Sequence, residues 1–141
     1  MSIEQNKTVI RREVEEAWNR GDFSGVPEMI SPGFVYHTPE GDLKGQDGFK
    51  RWVSIWRTAC PDFHMEVVEI VGEGNTVAAR LKWSGTFTGK FQGYQPTGKK
   101  IGAREAWFFY FRNGKDLGPV PYGNLNAVLQ EMGIEPRAVS K

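Results

Sequence analysis

The sequence predicts an α+β fold in which N-terminal helices cover a curled antiparallel sheet, so that the two together form a cone. Hydrophobic residues recur at helical spacing up to Ala59, and from Phe63 onward they alternate as they do in β-strands. The third observation is an aromatic content of 13%, with 5 Trp, 9 Phe and 4 Tyr among 141 residues. A curled sheet cannot bury its inner face alone, and a cone that narrows at one end leaves a pocket at the other.

The first two helices have recognisable start and stop signals. Ser2 and Gln5 have the spacing of a capping box, and Gly21 ends a predicted helix over residues 3–20. A short helix is predicted next, over residues 22–30. The first helix has one apolar face, made by Ile3, Ile10, Val14, Ala17 and Trp18.

A short β-prone run and a third helix follow. The run covers residues 34–37, and a loop is predicted at residues 39–42. The third helix is predicted over residues 46–59 and is ended by Pro61. Its apolar stripe consists of Phe49, Trp52, Val53 and Trp56.

The second half of the chain predicts four strands and a last helix. Alternation and turn residues place the strands at residues 63–71, 76–85, 100–112 and 116–122. Residues 72–75 and Asn113-Gly114 are predicted hairpin turns, and residues 85–98 form a loop rich in Thr, Gly and Pro. The last helix has an apolar face and a glycine C-cap, formed by Leu125, Val128, Leu129, Met132 and Gly133.

Composition excludes several classes of function. The 18 Lys and Arg balance 17 Asp and Glu, so the chain lacks the basic surface that nucleic-acid binding requires. No apolar stretch approaches the ~20 residues of a membrane span, and the polar N-terminus is unlike a signal peptide. Cys60, the single cysteine, cannot form an internal disulfide, and with His37 and His64 it matches no metal-ligand spacing. We therefore expect one soluble, cytoplasmic domain over residues 1–141, without a metal site.

Strand parity directs one carboxylate towards the interior. On the long strand, Glu105 shares a face with Trp107, and the preceding strand has Trp83 on its apolar face. Because burial of the apolar face decides the register, Glu105 is expected to point inward beside both indoles. An inward carboxylate must find a hydrogen-bonding or cationic partner, or keep its proton through a raised pKa. Either outcome suits acid–base chemistry; the plainer alternative is a solvated carboxylate at the rim or one paired with an Arg.

The other candidate residues lie on three elements. His37 ends the first short run, where the mouth of the cone is expected, and is a candidate to assist Glu105. His64 and Tyr122 are candidate substrate contacts, although a structural role for His64 is favoured. Aromatic stripes are usually core, so Trp52 and Trp56 are interpreted as core, pocket wall or both.

Short motifs along the chain resemble one known family. They run in the family's order from Asn6 to Gly133, and each is weak alone, but their order and spacing together are fairly specific. The motifs include Trp18-Asn19-Arg20-Gly21-Asp22, Pro32-Gly33-Phe34-Val35-Tyr36-His37, Pro61-Asp62-Phe63-His64, Pro96-Thr97-Gly98-Lys99 and Asn113-Gly114-Lys115. Together they resemble the SnoaL-like polyketide cyclases, also called ester cyclases. The resemblance implies the cystatin-like, nuclear-transport-factor-like cone, and ring closure by intramolecular aldol chemistry without metal or organic cofactor.

One departure from the family concerns its acid–base residue. After the Asn-Gly-Lys turn the family usually carries an acidic residue or His, then Trp and Asp, and that aspartate is its proposed acid–base group. Here residues 116–124 place no carboxylate at the expected inward positions, and Pro119 and Pro121 are expected to weaken strand pairing. Glu105, on the adjacent strand, is the candidate replacement.

Three functions remain open from the sequence. The first is a cofactor-independent cyclase, isomerase or lyase that acts on a hydrophobic carbonyl substrate, with Glu105 as acid–base group and Trp52, Trp56, Trp83 and Trp107 around the pocket. The second is a small-molecule-binding protein that has lost the chemistry. Epoxide hydrolysis ranks last, because the interior offers a single carboxylate. The mixed outer face of the sheet predicts a homodimer; it consists of Arg80, Lys82, Arg104, Phe108 and Tyr110.

Overall fold

The computed structural model describes residues 2–134 and contains the predicted elements in the predicted order. The helices are α1 (Ile3–Arg12), α2 (Val26–Met29), α3 (Gly45–Ala59) and α4 (Leu125–Met132), and a π-helical segment, Glu13–Trp18, continues α1. The strands are β1 (Val35–Thr38), β2 (Gly41–Lys44), β3 (His64–Glu73), β4 (Thr76–Thr86), β5 (Lys100–Arg112) and β6 (Lys115–Tyr122).

The main sheet is antiparallel, with strand order β3-β4-β5-β6, and the N-terminal helices precede it. The predicted α+β class is therefore confirmed. The two tight turns fall at Gly74-Asn75 and Asn113-Gly114, so the first is shorter than the predicted residues 72–75. The sheet's inner face and the helices bury one continuous apolar core, which includes Trp18, Phe49, Trp52, Leu81 and Phe109.

The predicted loop at residues 39–42 is wrong, because part of it is strand. Val35 pairs with Lys44 and Thr38 with Gly41, so β1 and β2 form a hairpin beside the main sheet. The turn residues of this short hairpin are typical of a loop, but the residues on either side of the turn pair as strands. This hairpin leads directly into α3.

The first helix also differs from the prediction of one regular helix over residues 3–20. The backbone N–H of Asn19 donates to the carbonyl of Val14 at 2.9 Å, a π-type bond that accommodates one extra residue per turn. Glu13, Val14, Ala17 and Trp18 of this segment are all buried. The segment therefore carries a buried carboxyl group and a buried indole.

The two prolines of β6 do not prevent its pairing with β5. Trp107 lies opposite Pro121 and Phe109 opposite Pro119. Because β6 ends the strand order of the sheet, the missing proline N–H groups interrupt no further ladder. The expected weakening is confined to a register shift between Phe109 and Phe111.

No helix within residues 2–134 is both long enough and apolar enough to cross a bilayer.

Candidate functional site

Glu105 lies in a pocket between the sheet, the π-helical segment, α3 and α4. The carboxylate accepts a hydrogen bond from Trp107 Nε1 at 2.7 Å on Oε1 and one from Trp83 Nε1 at 3.0 Å on Oε2. The cavity measures about 150 Å³ and is lined by Trp18, Tyr36, Trp52, Trp56, Phe63, Met65, Trp83, Glu105, Trp107, Pro121, Gly123, Leu125 and Val128. The pocket therefore combines apolar walls with a single carboxylate held by two neutral donors.

Strand register explains why the two indoles reach the same carboxylate. Leu81 of β4 lies opposite Glu105 of β5, and Trp83 lies opposite Ala103. Trp83 is thus the diagonal neighbour of Glu105 on the same face, and Trp107 is the next residue on that face. All three side chains project from strands of the sheet, and no loop is needed to position them. The carboxylate is therefore held by rigid elements.

Trp52 of α3 connects the aromatic rings that form the pocket wall. Its ring stacks on Tyr36 with centroids 4.0 Å apart and on Trp107 at 5.2 Å, and it meets Trp18 edge-on at 4.8 Å. A second group forms around Trp83, which stacks on Phe63 and packs against Trp56. Trp52, Trp56, Trp83 and Trp107 all lie where the sequence placed them. Trp18, predicted on the apolar face of the first helix, and Phe63 also line the pocket, although the sequence did not indicate either as a site residue.

Tyr36 is the polar pocket residue that sequence reasoning missed. Burial, with the negative charge of Glu105 as the second cause, raises the pKa of Tyr36 to about 12, so the phenol keeps its proton at neutral pH. Parity along β1 would have found it, because Phe34 and Tyr36 share the inward side and His37 takes the other. The pocket thus holds a hydrogen-bond donor as well as a carboxylate.

Three predicted site residues lie outside the pocket lining. His37 is exposed over 76% of its side chain and contacts Asp42 at 2.7 Å, so it is not placed to assist Glu105. His64 is exposed and pairs with Ser84, on the outer side of the sheet. Tyr122 is 63% exposed and packs edge-on against Phe108, also on the outer face. In each case strand alternation sends the side chain away from the cavity.

A pair of acidic residues is buried in the interior, apart from the pocket lining. Glu13 of the π-helical segment and Asp116 of β6 are 3% and 0% exposed. Among residues 2–134, Glu13 Oε2 and Asp116 Oδ2 have no hydrogen-bond donor, while Gly118 N–H donates to Asp116 Oδ1 at 2.7 Å. The pair is satisfied when one carboxyl group keeps its proton and donates it to the other. Burial raises the pKa of Asp116 to about 6, and burial and the charge of Asp116 raise the pKa of Glu13 well above its usual range.

This pair predicts that the protein loses stability as pH rises. The unfolded carboxyl groups release their protons near pH 4, whereas in the folded protein Asp116 does so near pH 6 and the pKa of Glu13 also lies well above its usual range. Above pH 4 the folded state therefore binds more protons than the unfolded state, so the free energy of unfolding falls as pH rises until both groups have lost their protons. Urea denaturation at pH 5 and pH 8 measures the fall.

Glu13→Gln should make that fall smaller, because the amide donates to Asp116 without carrying a proton that must be lost. Glu15→Gln, at an exposed position of the same segment, is the matched control. An equal fall in the wild type and in Glu13→Gln would contradict the interpretation of a shared proton.

Comparison with known proteins agrees with this architecture. Residues 8–116 match the family model described as SnoaL-like polyketide cyclase. The chain belongs to this family. It is 30% identical over 113 residues to the aklanonic acid methyl ester cyclase DnrD of Streptomyces peucetius, a match that covers 76% of each protein.

Two crystal structures illustrate how widely the SnoaL-like fold is retained. AclR from Streptomyces galilaeus, described as a proposed hydroxylase, is 29% identical with a TM-score of 0.76, covering 99% of this chain and 91% of AclR. A proposed SnoaL-like polyketide cyclase from Jannaschia sp. CCS1 is 20% identical with a TM-score of 0.83, covering 96% and 98%. The second likeness concerns the fold alone.

The SnoaL-like match ends at Asp116, where the departure noted in the sequence begins. Asp116 itself does not line the pocket, and the inward positions beyond it are apolar: Pro121 lines the cavity opposite Trp107. Just beyond the end of β6, a Cβ at Gly123 would lie 2.7 Å from Cδ of Glu105. The backbone that follows the last strand therefore approaches Glu105 closely, and the strand itself contributes no carboxylate to the pocket.

Proposed function

We propose that this SnoaL-like protein is a cyclase that closes a ring in a polyketide-like carbonyl compound, with Glu105 as the general base. The observation that carries the proposal is the Glu105 carboxylate, held by two indole N–H groups inside an aromatic pocket. Family membership and the 30% identity to a named cyclase support the same class of reaction. A base fixed on a strand and shielded by apolar walls is suited to removing a proton from carbon.

The proposed reaction is an intramolecular aldol addition. Glu105 takes a proton from the carbon next to a carbonyl group, and the enolate carbon forms a bond to a ketone carbon of the same molecule. The ketone oxygen becomes an alkoxide and takes the proton back from Glu105. Substrate and product are isomers, so no oxidant, reductant or second substrate is consumed.

Tyr36 is proposed to stabilise the oxygen on which negative charge develops. Its phenol stays protonated at neutral pH and faces the same cavity as Glu105. A neutral donor set in an apolar site before the reaction stabilises an oxyanion more than water does. Glu105 and Tyr36 would thus supply the base and the electrophilic donor.

The direct test uses aklanonic acid methyl ester, the compound in the name of the 30% identical relative. Incubation with the protein should give a cyclised isomer of unchanged mass, and incubation in D₂O should introduce deuterium at the acidic carbon, both read by mass spectrometry. A protein that catalyses neither cyclisation nor exchange would contradict the proposal.

Tyr36→Phe should lower kcat for that reaction about 10²-fold, the effect of removing one preorganised donor to an oxyanion. Binding should change less, because the ring that stacks on Trp52 remains. Tyr94→Phe, on an exposed loop residue outside the pocket, is the control and should leave kcat unchanged. An unaltered kcat in Tyr36→Phe would remove Tyr36 from the mechanism.

A binding protein without catalysis is the second candidate, and Pro121 favours it. This residue lies in the pocket on the strand that usually carries the family's aspartate. Tight binding of the ester together with absence of both cyclisation and exchange would decide for this candidate.

We propose further that two copies associate through the outer face of the sheet. Val71, Phe108, Tyr110, Val120 and Tyr122 expose between 38% and 63% of their surface on β3, β5 and β6. An exposed apolar patch on one face of a sheet is typical of a protein–protein interface. In a twofold dimer, the same patch on the second copy of the chain covers it. Light scattering should give the dimer mass, and Phe108→Glu with Tyr110→Glu should give the monomer. A wild-type monomer at micromolar concentration would contradict the proposal.

A further inference from the structure

Within residues 2–134, the carboxylate of Glu105 forms no ion pair. Among residues 2–134, Glu105 is the only charged side chain that lines the cavity, and its two hydrogen-bond donors are neutral indoles. Arg80 and Lys82 of β4 and Arg104 of β5 alternate to the opposite side of the sheet, where Arg80 and Arg104 line a separate cavity that Glu105 also borders. Arg80 is paired there with Glu69 at 2.7 Å. A carboxylate set in an apolar pocket without a cation is an unbalanced charge that a ligand can complement.

The walls of the pocket favour the same kind of ligand. A cation is attracted to the face of an aromatic ring, most strongly to that of Trp. Trp83 and Trp107 direct their N–H edges at Glu105, so the carboxylate does not occupy their faces. Stacking on Phe63 and Trp52 covers one face of each, at 5.5 Å and 5.2 Å. The pocket therefore offers electron-rich aromatic surface beside an anion.

The size of the cavity limits what can enter. A volume of about 150 Å³ matches a cavity that holds benzene, about 150 Å³ in an engineered apolar core. A trimethylammonium group is of similar size, whereas a fused polycyclic compound can insert only one ring. Leu125 at the lining is 43% exposed, so the remainder of a larger ligand can extend to solvent there.

We infer that this pocket binds small organic ammonium ions, with the cationic nitrogen beside Glu105 and its alkyl groups on the indole faces. The inference uses the pocket of the proposed function but does not require the aldol reaction. A bound ammonium ion occupies the place of the reacting carbon and competes with a carbonyl substrate. The contact with Glu105 requires the nitrogen itself to enter the pocket. A substrate whose basic nitrogen lies outside the reacting ring would therefore bind no more tightly than an uncharged substrate.

The test compares choline with 3,3-dimethyl-1-butanol, which has the same shape without the charge. Titration calorimetry, supported by Trp fluorescence, should give choline an affinity about tenfold or more higher, and the difference should shrink as KCl is added. Glu105→Gln should remove the preference, while Glu69→Gln on the outer face should retain it. Equal affinities in the wild type, or a preference that persists in Glu105→Gln, would overturn the inference.

A second variant separates the contribution of the rings from that of the charge. Trp56→Leu removes one half-buried ring and keeps Glu105, so it should weaken choline binding more than dimethylbutanol binding. Equal losses for the two ligands would contradict the ring contribution. Cyclisation of aklanonic acid methyl ester without choline preference would overturn this inference and leave the proposed function intact. Choline preference without turnover would do the reverse.

Discussion

Glu105→Gln should reduce kcat for cyclisation by about 10²- to 10⁴-fold, the usual contribution of a positioned general base. The amide has the size of the carboxylate but cannot take a proton from carbon at neutral pH. It also turns one N–H₂ group towards an indole N–H that now donates to Glu105, so one of the two hydrogen bonds is lost. Steady-state kinetics with aklanonic acid methyl ester measure the change.

Two further variants test whether the effect comes from the base. Glu66→Gln removes an exposed carboxylate from β3 and should leave kcat within about twofold, since surface changes rarely alter a distant site. Glu105→Asp keeps the acid on a shorter stem and should retain part of the activity. Activity of Glu105→Gln within about twofold of the wild type would eliminate Glu105 as the base.

Trp52→Ala should lower the free energy of unfolding by about 3–5 kcal/mol, the range for truncating a buried Trp. Trp52 is 4% exposed and its ring contacts those of Tyr36, Trp18 and Trp107. Its removal leaves a void beside these three rings and those of Phe34 and Phe49, all of which lose an aromatic neighbour. Urea denaturation monitored by circular dichroism measures the loss.

The same helix supplies the control for Trp52. Arg51→Ala, at an exposed position, should change stability by less than about 0.5 kcal/mol. Trp52→Phe should fall between the two, because it keeps an aromatic ring against Tyr36. A loss below about 1 kcal/mol for Trp52→Ala would show that the rings repack and that Trp52 does not hold the pocket wall together.

The alternation of side chains along a strand is the most informative rule for the residues of the pocket. Along β4 and β5 it placed Trp83, Glu105 and Trp107 on one face, as the structure has them. Along β1 the same rule separates Tyr36, which lines the pocket, from His37, which is exposed on the other side. The acid–base chemistry of histidine favours His37 as a site residue, whereas the alternation of side chains along β1 directs Tyr36 into the pocket.

Other features depended on packing that no local pattern records. Glu13 looks like any acidic residue of an amphipathic helix, and Asp116 like a turn residue after Asn113-Gly114. Glu13 lies buried in the π-helical segment, and Asp116 at the start of β6 is buried close enough for its charge to raise the pKa of Glu13. Their shared environment, and the raised pKa values that follow from burial, arise only when the two segments meet.

The sequence by itself determined the order of elements, the face on which Glu105 lies and the resemblance to the SnoaL-like family. These follow from the 3.6- and 2-residue periods of helix and strand, which relate near neighbours along the chain. Only the tertiary structure decided which rings enclose Glu105, that Tyr36 joins it while His37 does not, and that Pro121 lines the pocket on the last strand. Those outcomes depend on how separate elements pack, since burial of apolar surface selects one arrangement of the whole chain and local periodicity leaves several open.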